Sequence, residues 1–270
     1  MTRSQGQFRD RIKSAANEKQ SRIVVAVDPP FQSESSTGNS ESPVLHLERT
    51  ATSIVDKVQA SACGIKINFH LLLPLSAKQI AALNRLVHSY GLVSIADVKL
   101  NDIEETNGVV LSHLISMGFD ALIVNPFIGM EPLRSLVSDA HSKNAGVIAL
   151  VYMSHEAATD GYGLNIAAQG RATRPLYEIF LERALSADAD GIVVGATQTS
   201  ILGQLAKSKK SHPPIFSPGI GAQGATVEDA VRLGCDYLII GRSIVNAKDP
   251  QAATELMRSK AEAVYDKNKS

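Results

Sequence analysis

Acidic and basic side chains balance at 27 each over 270 residues, so no charge surplus points to nucleic acid or an anionic membrane as a partner; a 44% hydrophobic content is ample for a large core. No apolar run approaches the ~18 residues of a membrane-spanning helix, and residues 1–19 are polar and mixed in charge, unlike a secretion signal, so the expected compartment is the cytoplasm. Cys63 and Cys235 stand alone, without CxxC or zinc spacing, and read as small buried hydrophobes of a reducing compartment.

Residues 4–20 mix charge with few apolar positions and predict a loosely packed leading helix. Residues 23–27 form a nearly all β-branched run that ends in Asp28 and is stopped by Pro29-Pro30, which predicts a buried strand with an acid at its tip. The Ser-rich stretch 31–43 predicts a surface loop, residues 44–60 a helix, and residues 62–68 a strand carrying Lys66. A helix over 75–90 stops at Gly91, and the apolar run 93–96 then leads into Asp97 and Lys99. Side chains two apart on a strand share a face, so Asp97 and Lys99 are expected to project together, with Asp102 on the turn into a helix over 102–117. Three charges converging there are costly to bury without mutual pairing.

Residues 121–125 predict the fourth strand, 131–143 a helix, and 147–152 a fifth strand with Ser154 just beyond it. A polar, Gly-containing stretch over 155–173 precedes a helix ending near residue 185 and a strand over 191–194. A short helix over 201–208, a strand over 215–217, the loop Pro218 to Gly224, and a helix over 227–233 follow. The last strand, 237–240, runs into Gly241-Arg242-Ser243 and a helix over 250–265.

Eight short apolar runs alternating with helices predict a (β/α)₈ barrel, the TIM-barrel architecture, as a single domain over residues 1–270; no composition break or internal repeat divides it. Asp28, Lys66, Asp97, Lys99, Ser154, Gln223 and Arg242 all fall at or just beyond strand C-termini, which converge on the face where such barrels build active sites. The Gly-rich loop at 218–224 and Gly241-Arg242 offer backbone N–H groups and a guanidinium to a phosphate dianion. Lys66, Asp97, Lys99 and Asp102 read as an array of alternating charge in which flanking carboxylates favour the ionised form of Lys99. A positioned ammonium can protonate a developing carbanion while a carboxylate opposes a departing one, which suits loss of CO₂ with protonation at the same carbon.

The segments Val25-Ala26-Val27-Asp28, Ile65-Lys66-Ile67, Ala96-Asp97-Val98-Lys99-Leu100-Asn101-Asp102-Ile103 with Thr106, Met153-Ser154-His155, Pro218 to Gly224, and Gly241-Arg242-Ser243-Ile244 resemble the orotidine 5′-phosphate decarboxylases over about residues 23–250. The resemblance implies conversion of orotidine 5′-phosphate to UMP with no cofactor and no metal, the last step of pyrimidine nucleotide synthesis. On it, Lys99 matches the proton donor, Asp97 sits beside the departing carboxylate, and Lys66 bridges the array and the ribose. Asp28 binds ribose hydroxyls, Ser154 the pyrimidine, Gln223 both base and phosphate, and Gly241 with Arg242 the phosphate. Ile103 and Pro218 give an apolar wall near the reacting carbon. Asp102 and Thr106 match positions that reach into a neighbouring subunit's site, which implies a homodimer with two shared sites.

Asn68 departs from the family pattern where many members have Gly, and Asn101 replaces a common small residue; neither removes a charge from the array. Three other readings compete. Residues 219–224 satisfy G-x-G-x-x-G, but late in the chain and without the acid some twenty residues on that a dinucleotide site needs. Mg²⁺-dependent relatives such as 3-keto-L-gulonate 6-phosphate decarboxylase and hexulose-6-phosphate synthase share the Asp-x-Lys-x-x-Asp core, while Ile103, Thr106 and Gln223 favour the nucleotide enzyme. A non-catalytic phosphate-binding barrel is opposed by the intact Lys99. Ser154 and His155 are expected to diverge if the fifth strand continues, which argues against a Ser–His couple.

Overall fold

The computed structural model describes residues 7–29, 42–167, 173–208 and 212–269. Eight parallel strands close into a barrel: β1 (Ile23–Val27), β2 (Gly64–Asn68), β3 (Val93–Leu100), β4 (Ala121–Val124), β5 (Gly146–Tyr152), β6 (Gly191–Val194), β7 (Ile215–Ser217) and β8 (Tyr237–Ile240). Each strand pairs with its sequence neighbours, and β1 closes the ring against β8. The principal helices are α1 (Phe8–Lys19), α2 (Pro43–Val58), α3 (Ala77–Ser89), α4 (Glu104–Ser116), α5 (Met130–Ser142), α6 (Leu176–Ser186), α7 (Thr199–Lys207), α8 (Val227–Arg232) and α9 (Pro250–Lys269). A closed parallel barrel leaves no doubly wound sheet, so the dinucleotide reading of residues 219–224 falls. The expected loop at 31–43 lies outside the described residues except for Ser42 and Pro43, which open α2.

Strand alternation sorts the core into two shells. Ile23, Val25 and Val27 point outward against the helices, whereas Val24 and Ala26 point into the barrel with Ile95, Ile123, Leu150 and Ile239. Helix α3 starts on a capping box, Ser76 with Gln79, and gives way to a left-handed Gly91. The stretch read as polar loop at 155–173 holds a 3₁₀ turn, Glu156–Ala158, a turn of α-helix, Thr159–Tyr162, and a two-residue strand, Asn165–Ile166, that pairs antiparallel with Arg174–Pro175 just beyond it. Its residues 168–172 lie outside the described ones. Tyr162 packs on Tyr152 at the end of β5, with ring centroids 5.4 Å apart.

The leading helix is not loosely packed. Phe8, Ile12, Ala15 and Ala16 are buried, and α1 closes the N-terminal end of the barrel. Phe8 stacks on Phe216, centroids 6.4 Å apart, and lies against Gly146, where a Cβ would sit 2.5 Å from the Phe8 ring. Few apolar residues are needed because each sits on the single face that meets the barrel floor.

That floor also carries a recurrence that no continuous repeat announces. Asp120, Asp190 and Asp236 each stand immediately before a four-residue strand, β4, β6 or β8. Each carboxylate accepts a backbone N–H from the first or second residue of the adjacent strand, Ser94, Val147 and Ile215 respectively, all at 2.8 Å. Two residues before each Asp the chain turns through the left-handed region, at Gly118, Asp188 and Gly234. Asp188 takes the position because a short polar side chain tolerates that conformation. Helix α1 is latched onto two of the three carboxylates, through Arg11 to Asp120 at 3.2 Å and Arg9 to Asp190 at 3.4 Å. His88 and His141 approach the same two from the wall, at 2.8 and 2.9 Å. Burial pulls Asp120 up, but His88, the Ser94 N–H and Arg11 outweigh it and hold the carboxyl below its ordinary value.

Candidate active site

The opposite, C-terminal end of the barrel is open over a cavity of about 260 Å³. Its floor is the inner shell itself, with Ala26, Ile123, Leu150 and Ile239 exposing apolar surface to it. Asp28, Lys66, Asp97 and Lys99 come from β1, β2 and β3, and the backbone-rich loops, with Arg242, from β7 and β8; the two sides meet because β8 pairs with β1.

On the charged side, Lys66 and Asp97 are 5% and 7% exposed, a depth at which neither charge is tolerable alone. Lys66 Nζ donates to Asp97 Oδ2 at 2.5 Å, and Lys99 Nζ donates to Asp97 Oδ1 at 2.7 Å. One carboxylate thus spends both oxygens on two ammonium groups. Burial pulls Asp97 up, yet Lys66 and Lys99 together hold it below the ordinary value. Both Asp97 oxygens face ammonium groups, and Asp102 does not line the cavity beside it as a second carboxylate.

Alternation alone predicts Lys99 beside Asp97, but the strand is not regular there. The β3–β4 register shifts between Ala96 and Leu100, and Lys99 itself has φ +45°, in the left-handed region where a long side chain is strained. The bulge aims the Lys99 side chain, 42% exposed, back over the cavity.

Asp102 does not join this array within the chain. Past Leu100 the backbone turns away, and the Asp102 carboxylate accepts the Ile103 N–H at 2.8 Å while Asn107 holds the Asp102 backbone. Asp102, Ile103 and Thr106 are exposed and line no part of the cavity, so the expected array of Lys66, Asp97, Lys99 and Asp102 reduces within the chain to Lys66, Asp97 and Lys99. The apolar wall likewise keeps Pro218 and loses Ile103, which is 66% exposed.

Asp28 lies at the tip of β1 with its carboxylate against Gly241, where a Cβ would stand 2.9 Å from Asp28 Oδ1. Burial pushes its carboxyl up, and Lys66, His70 and Arg242 draw it partly back. Ser154 is wedged between two loops, since a Cβ on Gly195 would lie 2.5 Å from Ser154 Cα and one on Gly219 2.8 Å from Ser154 Cβ. The Thr197 hydroxyl ties down the Ser154 carbonyl at 2.8 Å. Because β5 ends at Tyr152, Ser154 and His155 do not diverge across a strand; both line the cavity.

Gln223, Gly241 and Arg242 line the remaining wall. The two loops there are joined by Ser243, whose hydroxyl accepts the Ala222 N–H at 3.1 Å. Gly221, at φ +77°, runs so close to that hydroxyl that a Cβ would come within 2.2 Å of it. Sequence reasoning left Ser243 and Asn68 without a role. Asn68 Oδ1 accepts from Lys66 Nζ, and only the charge array on the same strand face hinted at that.

Residues 21–257 match the family model described as Orotidine 5′-phosphate decarboxylase / HUMPS. An orotidine 5′-phosphate decarboxylase of Pyrococcus horikoshii is 32% identical over 217 residues, 80% of this chain and 91% of the relative. Among solved structures, that of orotidine 5′-phosphate decarboxylase from Pyrococcus horikoshii OT3 superposes with a TM-score of 0.67 at 28% identity, covering 88% of this chain and 98% of the other. The structure of Leishmania donovani OMP decarboxylase reaches a TM-score of 0.76 over 96% of this chain and 99% of that one, and at 21% identity speaks for the fold alone.

Proposed function

Because the chain belongs to the orotidine 5′-phosphate decarboxylase / HUMPS family, we propose that it is a carboxy-lyase converting orotidine 5′-phosphate to UMP and CO₂ without cofactor or metal. The observation that carries this reading is the Lys66–Asp97–Lys99 array, one buried carboxylate clamped by two ammonium groups at the mouth of an apolar-floored cavity. The bond from C6 of the pyrimidine to its carboxylate breaks, CO₂ leaves, and the electron pair stays on C6. Lys99 delivers a proton to that carbon and is reprotonated from water. Asp97 faces the substrate carboxylate in the ground state and no longer opposes it once CO₂ has gone, while both ammonium groups favour the carbanion.

The other residues bind. Asp28 and Lys66 take the ribose, Ser154 the pyrimidine, and Pro218 lends apolar surface beside the reacting carbon. Gln223 joins base to phosphate, and Gly241 with Arg242 holds the phosphate by N–H groups and a guanidinium. Phosphate binding far from the bond that breaks supplies energy for alignment at the reacting centre.

A single chain is one barrel domain in this reading, and two chains complete two sites. Asp102, Ile103 and Thr106 are exposed beside the mouth, where Phe69, Leu73, Val109 and Phe127 also expose apolar surface around the ends of the adjacent strands β2, β3 and β4. There Asp102, with Thr106 and Ile103, serves the neighbouring subunit's site. Mixing inactive Lys99→Ala with inactive Asp102→Ala chains is expected to restore about a quarter of the activity, since one site of each hybrid dimer is intact (a statistical expectation of random pairing). No recovery on mixing, from chains shown to exchange, would refute shared sites. Among the described residues no helix is long and apolar enough to cross a membrane, and we place the enzyme in the cytoplasm, at the last step of pyrimidine nucleotide synthesis.

The deciding assay follows absorbance as orotidine 5′-phosphate becomes UMP, in EDTA. Turnover is expected to be undiminished by the chelator, and orotidine without its phosphate to be a far poorer substrate. Activity that disappears with EDTA and returns with Mg²⁺ would move the chain to the metal-dependent branch of the family.

A further inference from the structure

We propose that Asn68 is a positioning residue that sets sugar specificity, holding Lys66 and Asp28 so that together they grip both hydroxyls of a ribose; this rests on the nucleotide reading above. Asn68 ends β2 on the same strand face as Lys66. Its Oδ1 accepts from Lys66 Nζ and its Nδ2 donates to Asp28 Oδ2 at 3.4 Å. The amide has only one sensible orientation there, because a flip would set its donor against the ammonium and its acceptor against the carboxylate.

Counting donors and acceptors shows what is left for a ligand. Of the three Lys66 N–H groups, one goes to Asp97 and one to Asn68. Of the two amide N–H groups of Asn68, one goes to Asp28. Asp28 Oδ1 is buried with no hydrogen-bond partner among the described residues. Two donors and one acceptor are therefore gathered at one corner of the cavity, beside Gly241, where the missing Cβ leaves room. Two adjacent hydroxyls, each able to donate and accept, match that set. A 2′-deoxy sugar leaves part of it unpaired, which is where discrimination arises. Glycine at this position, as the family resemblance leads one to expect, would leave Lys66 with Asp97 alone and cut Asp28 off from the array.

The test compares UMP with 2′-deoxy-UMP by calorimetry on the unaltered protein, Asn68→Gly and Asn68→Asp, with folding checked by thermal melting. The unaltered protein is expected to prefer UMP. In Asn68→Gly the UMP affinity should fall roughly tenfold while 2′-deoxy-UMP changes much less, so that the preference shrinks by about the same factor. Asn68→Asp keeps the size and the acceptor for Lys66 but lacks the donor, and is expected to lose the preference as well. A preference unchanged in Asn68→Gly, equal weakening of both ligands, or a full preference in Asn68→Asp would each overturn the assignment. An unaltered protein that fails to decarboxylate orotidine 5′-phosphate takes the nucleotide reading down and this proposal with it. Normal turnover with an unmoved preference removes the Asn68 role alone.

Discussion

Lys99→Ala is expected to cut turnover of orotidine 5′-phosphate by roughly 10³-fold or more, with UMP still bound. The variant removes the more exposed of the two ammonium groups that touch Asp97, since Lys66 is buried and hydrogen-bonds both Asp97 and Asn68. On the proposed reading, a carbanion at C6 then loses its proton source and one of its two neighbouring positive charges. Binding should survive because Arg242, Gln223 and the glycine loops are untouched on the far wall. The fold should survive too: Lys99 is half exposed, and Asp97 keeps its buried partner Lys66. Removing the side chain also relieves none of the bulge, which the shifted β3–β4 register fixes. Steady-state turnover beside UMP calorimetry on the same preparation checks both halves. Near-normal turnover would refute Lys99 as the donor, and lost UMP binding would mean that the residue shapes the cavity rather than the chemistry.

Why some of this was legible in the sequence and some was not comes down to range. β1 could be read to the residue because a β-branched run ends at Asp28 and a Pro-Pro pair, all local signals. Asp28, Lys66 and Asp97 fall on the inward face for the same reason, since parity along a strand is a property of neighbours, whereas Lys99 reaches the cavity through a bulge that parity does not announce. Asp102 shows where parity stops. It lies past the end of the strand, where a side-chain bond from Asn107 to the turn decides direction, and no spacing rule covers that. Helix α1 was misjudged because a charged helix with five buried positions looks sparse until a barrel floor is set against it, and its two arginines are latches only once Asp120 and Asp190 surface beneath it. The place of Ser154 depends on two glycines more than forty residues downstream, Gly195 and Gly219. Such contacts join residues distant in the chain, and no local pattern of residues carries a trace of them.

The second large effect is expected at Asp97, where function and stability fall together. Asp97→Ala leaves Lys66, 5% exposed, with a neutral amide as its only hydrogen-bond partner among the described residues, and faces it with Lys99 across an empty space. An uncompensated buried charge of this kind costs about 3–5 kcal/mol. Activity should vanish as well, because the array loses the carboxylate that opposes the substrate's own. The acid side follows the same logic. The Asp97 carboxyl is held below its ordinary value, so its stabilisation is fully present above that value and is lost as pH falls through the lowered one. From this group the folded state should therefore be indifferent to pH near neutrality and weaken only in strong acid, and Asp97→Asn should abolish that acid dependence. Pairing the change with Lys66→Met separates the two roles. The double variant removes both buried charges and should recover most of the lost stability in urea unfolding, while remaining inactive. A double variant as unstable as Asp97→Ala would mean that the loss came from packing, and that the buried pair is not what holds this end of the barrel together.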